Sequence, residues 1–260
     1  MTIRFAAGPI MHGPRRAVVR EIFADALGAA AGEFVEVVAL PDYDALGEAV
    51  GSGAVDFAWL PPAVYVSQES RGISLLLACA RVAGAQYRAC LFVRQDSSLR
   101  EAKDLWGARV AWVHQNSAAG YLFPRMELRI QGLKPDEVFA EQKLLGSHGA
   151  VVQAVALAES DVGATYLTVD ARGRPVRWGW EAEVDLDRMR SILMTEPIPS
   201  DVICASPGIA RERQDAMSKA LMAMHDVAQG SRALMAFFGA QRLEPTLPSH
   251  YDGVRAAFHK

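Results

Sequence analysis

Two short stretches place hydroxyl and imidazole donors at the mouth of an apolar-periodic run. In "LGSHGAVVQAVALAESDVGATY" (145–166), Ser147 and His148 follow a glycine and precede a helical pattern. In "WVHQNSAAGY" (112–121), Asn116 and Ser117 follow a strand-like run and precede Ala118, Ala119 and Gly120. The first N–H groups of a helix have no carbonyl within the helix, and they attract anions. A hydroxyl beside them, with side chains small enough for close approach, makes a cradle for an oxyanion. Each stretch taken alone reads equally well as a plain serine N-cap. His148 is less ordinary, because a helix start disfavours a cation. It is either a bystander, a neutral donor or a general acid–base candidate. Two such starts in one segment of chain point toward a shared anion. Three further residues are candidates: Tyr43, which opens a helical run; Trp59, at the end of a strand before Pro61 and Pro62; and Asp201, entering the apolar run "PIPSDVICASPGI" (197–209). An isolated Tyr or Trp is also ordinary core, and a buried Asp needs a partner, either a backbone N–H or a ligand.

These residues must be held by alternating strands and helices. Strand patterns fall at 3–8, 34–40, 55–60 and 73–82, separated by helical patterns at 15–32, 42–53 and 62–72. A Gly-Pro turn follows the first strand. The grammar restarts with a strand at 87–95, a short helix leading into a strand over 100–114, helices at 117–132 and 147–160, and a strand from 161. A strand pair at 189–206 leaves this second unit, and two helices at 211–230 and 231–240 close the chain. The stretch "DARGRPVRWGWEAEVDLDR" (170–188) reads as a loop. Strands alternating with helices predict βαβ units around a mostly parallel sheet. The expected architecture is α/β and two-lobed, with lobe 1 formed by 1–83 and 200–260 and lobe 2 by 84–199. Two crossing segments, near 80–87 and 193–203, would act as a hinge. Ligands of such folds sit outside the carboxyl ends of the strands.

Composition narrows the function. The 260 residues are 51% hydrophobic and carry a net charge of −3, enough apolar matter for a substantial core and no electrostatic case for nucleic acid. No run of 18 apolar residues is present, so no membrane span is expected. Cys79, Cys90 and Cys204 are scattered and read as buried thiols. There is no G-x-x-x-x-G-K-[ST] loop and no metal-ligand cluster, so no cofactor or metal is expected. The opening "MTIRFAAGPIMHGP" lacks the charged and apolar regions of a signal peptide. The expected location is periplasmic if a leader has been removed, and cytoplasmic if Met1 is the native start.

The strings "VDFAWLPPAVYV", "DLWGARVAWVHQNSAAGYLFP", "GSHGAVVQAVALAESDVGATY" and "PIPSDVICASPGI", in that order, resemble the phosphate/phosphite/phosphonate substrate-binding proteins of ABC transporters. The resemblance runs from residue 3 to about 240. It implies a type II periplasmic-binding-protein fold that grips a tetrahedral phosphorus oxyanion in an interlobe cleft. The family's Asn-Ser-Thr-Ser-Gly element matches Asn116 to Gly120, with Ala118 and Ala119 in place of two hydroxyl residues. Its Ser-His helix start matches Ser147 and His148, its pocket tyrosines match Tyr43 and Tyr87, and its Pro-Ser-Asp crossing matches Asp201. Members that take an aminoalkyl phosphonate carry a second carboxylate near the position of Thr168. The implied role is a non-enzymatic solute-binding or sensor protein, a monomer, with an ABC transporter permease or a signalling protein as partner. Two alternatives stay open: an enzyme on the same fold acting on a small carboxylated substrate, as in menaquinone-pathway dehydratases and synthases, and a ligand-sensing domain working through a protein partner.

Overall fold

The computed structural model describes residues 2–8, 14–80, 86–170 and 172–258. The Gly-Pro turn after the first strand and most of the first expected crossing segment lie outside the described residues. Contacts divide the chain into two compact units, Met1–Ala83 with Ser200–Asp252 and Gly84–Pro199 with Gly253–Lys260. The last segment groups with the second unit rather than the first, so the chain passes between units three times instead of twice.

In the first unit, β1 (Thr2–Ala7), α1 (Pro14–Ala31), β2 (Phe34–Ala39), α2 (Tyr43–Gly51), β3 (Phe57–Leu60), α3 (Pro62–Gln68) and β4 (Ser74–Ala80) follow in chain order. The second unit begins with β5 (Gln86–Arg94) and β6 (Arg109–Trp112), then a π-helical turn (Ala118–Leu122) running into α4 (Phe123–Ile130). It continues through α5 (Pro135–Val138), β7 (Glu141–Leu144), α6 (His148–Ala156), β8 (Val162–Val169), β9 (Pro175–Trp178) and β10 (Met189–Met194). The chain re-enters the first unit with β11 (Val202–Ala205), α7 (Arg211–Ala223), α8 (Ala228–Phe238) and β12 (Arg242–Pro245), and ends in α9 (Asp252–Phe258).

Among the described residues each unit holds one sheet. The first has the order β12-β4-β11-β3-β1-β2, and the second β10-β5-β8-β6-β7 with β9 added to β8. The expectation of mostly parallel sheets needs correction. Among the described residues, only β1 pairs in parallel with β2 and β3, and β6 with β7 and β8. The pairs β11–β3, β11–β4, β12–β4, β5–β8, β10–β5 and β8–β9 are antiparallel. A buried strand reads as a continuous apolar run whichever way it points, so the pattern carries no direction. The loop expected over 170–188 likewise contains β9, which forms a hairpin with β8.

Alternation builds the cores. In β5 and β6, Leu91, Val93, Val110 and Trp112 pack on one face of the second sheet, and Cys90, Phe92 and Ala111 on the other, joined by Val113 just after β6. The first unit packs Phe5 against Phe23 at 5.2 Å between ring centroids, and Phe23 stacks on Phe237 at 4.1 Å. All three cysteines are buried, and none is in a disulfide. Burial raises the thiol pKa of Cys90 and of Cys204, which keeps both unreactive.

Candidate functional site

The second unit gathers its donors where β6 and β7 end. Ser117 follows β6 and caps the π-helical turn, its Oγ accepting the Gly120 N–H at 3.0 Å. Ser147 follows β7 and caps α6, its Oγ accepting the Ala150 N–H at 3.2 Å. Each hydroxyl retains its own proton to donate. Val113 ties the two starts together. Its N–H donates to Gly120 O at 3.0 Å, and its carbonyl accepts the Gly146 N–H at 2.8 Å. The helix expected from 117 therefore opens as a π turn, a form common at functional sites. Ala118 and Ala119 are buried, and Asn116 directs its backbone N–H to His114 Nδ1 at 3.1 Å.

Close approach explains Gly120. A Cβ there would stand 2.5 Å from Val113 Cβ, with Val113 Cγ2 closer still, and 2.8 Å from Ser117 Oγ. Only glycine lets the turn close on Val113. From the other side Arg125, on α4, steadies the turn. Its guanidinium lies 4.8 Å from the Tyr121 ring centroid and bonds Asp136 at 2.6 Å and Gln142 at 2.7 Å. The Arg125 hydrogen bond holds the Asp136 carboxyl below the usual carboxylate range.

His148 is the first residue of α6. Its Nδ1 lies 3.1 Å from Thr165 Oγ1, and its ring meets the Tyr166 ring edge-on at 5.1 Å. Tyr166 in turn stacks on Tyr87 at 5.8 Å. Tyr87 is set there by register, since β5 runs antiparallel to β8 with Tyr87 opposite Thr168. Burial lowers the His148 pKa to about 4, so the imidazole is neutral at pH 7.

The first unit brings its candidates to the matching end of its own sheet. Tyr43 begins α2 after β2, Trp59 lies in β3, and Asp201 immediately precedes β11, which runs antiparallel to β3. Asp201 is buried. Burial first, and then the Asp201 carboxylate, push the Tyr43 phenol up to about 12. Burial first, with a smaller contribution from Asp201, also raises Tyr251, a residue the sequence reading did not single out, whose hydroxyl donates to Ser200 O at 3.0 Å. Trp59 packs against the apolar core, yet its buried indole N–H meets no acceptor among the described residues.

Sequence reasoning also missed Tyr166 and Thr165. Both lie in the quoted "SDVGATYL", and the signal was their position on the strand beside the His148 helix. Among the described residues no three His, Cys, Asp or Glu side chains gather as metal ligands, and no helix is long and apolar enough to cross a membrane.

Two α/β units, each with parallel strands delivering capped helix starts to one end and antiparallel strands returning the chain, make up the type II periplasmic-binding-protein fold of solute-binding proteins. The chain belongs to the family described as "ABC transporter, phosphonate, periplasmic substrate-binding protein", which matches residues 16–251. Solved structures agree on the fold. A Xanthomonas citri protein bound to chloride ion is 21% identical with a TM-score of 0.80, covering 99% of both chains. A binding protein component of an ABC phosphonate transporter from Pseudomonas aeruginosa is 18% identical with a TM-score of 0.82, over 99% of this chain and 85% of that one. PhnD1 of Prochlorococcus marinus, solved in complex with methylphosphonate, is 14% identical with a TM-score of 0.81, over 99% and 97%. The protein is thus a solute-binding protein of a transporter family whose members are extracytoplasmic.

Proposed function

We propose that this protein captures a small phosphorus oxyanion (a phosphonate, phosphite or phosphate) on the donors of its second unit and presents it to an ABC transporter permease. The observation that carries this reading is the pair of serine-capped helix starts tied through Val113, with neutral His148 beside them. Ser117, Ser147 and His148 donate from side chains, and the backbone at Ala118 and Ala119 supplies N–H groups where the family pattern has further hydroxyls. Small alanines keep that backbone open to close approach. Tyr87 and Tyr166 form an aromatic wall. Tyr43, Trp59 and Asp201 are the proposed ligand contacts of the first unit. The expected form is an extracytoplasmic monomer.

Binding is favoured over catalysis by the state of His148. A histidine held neutral, with its Nδ1 on a threonine rather than a carboxylate, lacks the partner that stabilises an imidazolium during proton transfer. Its low pKa also makes it a poor proton acceptor at pH 7.

Native mass spectrometry of protein purified without added phosphorus compounds reveals any retained ligand. Calorimetry with methylphosphonate, phosphite, phosphate and sulfate then ranks the anions. A carboxylate beside an oxyanion repels it unless a proton lies between them, so Asp201 should select anions with a protonated oxygen over sulfate. Asp201→Asn should narrow that gap. If none of the four anions binds, or sulfate binds as well as the protonated anions, the reading is wrong.

A further inference from the structure

Thr165 sits on β8 and is fully buried. A buried hydroxyl needs an acceptor for its proton. Among the described residues the one polar atom bonded to Thr165 Oγ1 is His148 Nδ1, 3.1 Å away. Backbone closes in on the other side. A Cβ added at Gly179 would collide with Thr165 Oγ1 and stand 2.8 Å from Tyr166 O. The hydroxyl is therefore boxed between the turn after β9 and the imidazole. Were Nδ1 the protonated nitrogen, it would donate to Oγ1, and the hydroxyl's own proton would be buried with no acceptor. The arrangement that satisfies both groups has the Thr165 O–H donating to an unprotonated Nδ1. The edge-on contact with Tyr166 fixes the plane of the ring.

We propose that Thr165 is a positioning residue that locks His148 in the neutral tautomer with its proton on Nε2, so that His148 meets the ligand as a hydrogen-bond donor alone. What Nε2 meets rests on the oxyanion reading above; the tautomer itself rests on the contacts within the second unit. Two chemical consequences follow. The ligand oxygen against His148 must be an acceptor, hence unprotonated, and any protonated ligand oxygen must lie elsewhere. His148 also contributes no net positive charge, so the anion is held by neutral dipoles and N–H groups. The same Thr165 donor opposes protonation of the ring, in the same direction as burial, which lowers the His148 pKa.

The tautomer is read directly by nitrogen NMR of the full chain labelled with 15N-histidine, without any ligand. A His148→Gln variant identifies the His148 signals among the six histidines. The expected wild-type spectrum shows a protonated Nε2 and an unprotonated Nδ1. Thr165→Ser should keep that pattern, and Thr165→Val, which preserves shape and removes the donor, should give a mixture of tautomers. Methylphosphonate binding should weaken about two- to tenfold in Thr165→Val, by the fraction of His148 left in the competent form, and stay near wild type in Thr165→Ser. A protonated Nδ1 in the wild type, or a Thr165→Val spectrum identical to wild type, overturns the proposal. If Thr165→Val does not fold, the wild-type and Thr165→Ser spectra decide it. The expected tautomers with no methylphosphonate binding by the wild type would uphold the Thr165 assignment and overturn the oxyanion reading instead.

Discussion

Replacing Gly120 by alanine adds one methyl group where the π-helical turn closes on the strand before it. The new Cβ would stand 2.5 Å from Val113 Cβ and 2.8 Å from Ser117 Oγ, and neither neighbour is the free end of a flexible chain. Val113 is fully buried, and its N–H and C=O are both committed, to Gly120 and Gly146. The turn must therefore move as a unit. Overpacking of this kind costs about 1–3 kcal/mol. Losing a helical glycine returns at most about 1 kcal/mol through the unfolded state. If the Ser117 cap is pulled apart as well, roughly another 1 kcal/mol goes with it. The net expectation is a loss of about 1–3 kcal/mol, combining these ranges. Urea unfolding of Gly120→Ala should show it as a lower midpoint at unchanged slope. Trimming the obstacle supplies the control. Val113→Ala is destabilising alone, but the double variant should be more stable than the sum of the two, with a coupling of about 1 kcal/mol or more. Methylphosphonate binding should weaken in Gly120→Ala, because Ser117 moves. Wild-type stability in Gly120→Ala, or strict additivity with Val113→Ala, would refute the reasoning that space at this position sets the turn.

Two further outcomes follow from the same site. His148 has a folded pKa of about 4 against an ordinary value near 6.5, so the unfolded chain takes up its proton first. Its contribution is complete above pH 6.5 and is lost as pH falls toward 4; between pH 7 and 4.5, urea unfolding should show wild type losing about 1–3 kcal/mol more than His148→Gln, and equal losses would contradict the assignment. Arg125 is buried, while its partner Asp136 stays largely in water. Arg125→Ala should therefore cost roughly 2–4 kcal/mol in unfolding experiments, mostly through lost packing and charged hydrogen bonds, and Arg125→Lys should recover little of it. A lysine variant at wild-type stability would show that charge alone matters there.

The two helix starts were legible because serine before small residues and an apolar period is a local pattern, and local hydrogen bonds from Ser117 and Ser147 produce it. The order of strands and helices was legible for the same reason. Strand direction was not, since buried runs such as β5 and β11 look alike whether parallel or antiparallel. Nor was β7, whose residues Glu141, Gln142, Lys143 and Leu144 are all exposed and carry no apolar alternation. β12, "RLEP", is equally short and polar, and a proline within a run demotes it as a strand. The contacts that shape the site are longer in range. His148 meets Thr165 from 17 residues away, and Tyr87 reaches Tyr166 through antiparallel register. Neither follows from periodicity, because each depends on which strand a helix covers.

Calorimetric titration of methylphosphonate into wild type, Ser117→Ala and Ser147→Ala tests the central claim most directly, with circular dichroism confirming that each variant is folded. A neutral donor to a charged oxygen contributes about 1.5–3 kcal/mol, so each substitution should weaken binding roughly tenfold to a hundredfold or somewhat more. Wild-type affinity in Ser147→Ala would remove the α6 start from the site, and wild-type affinity in both variants would contradict the account.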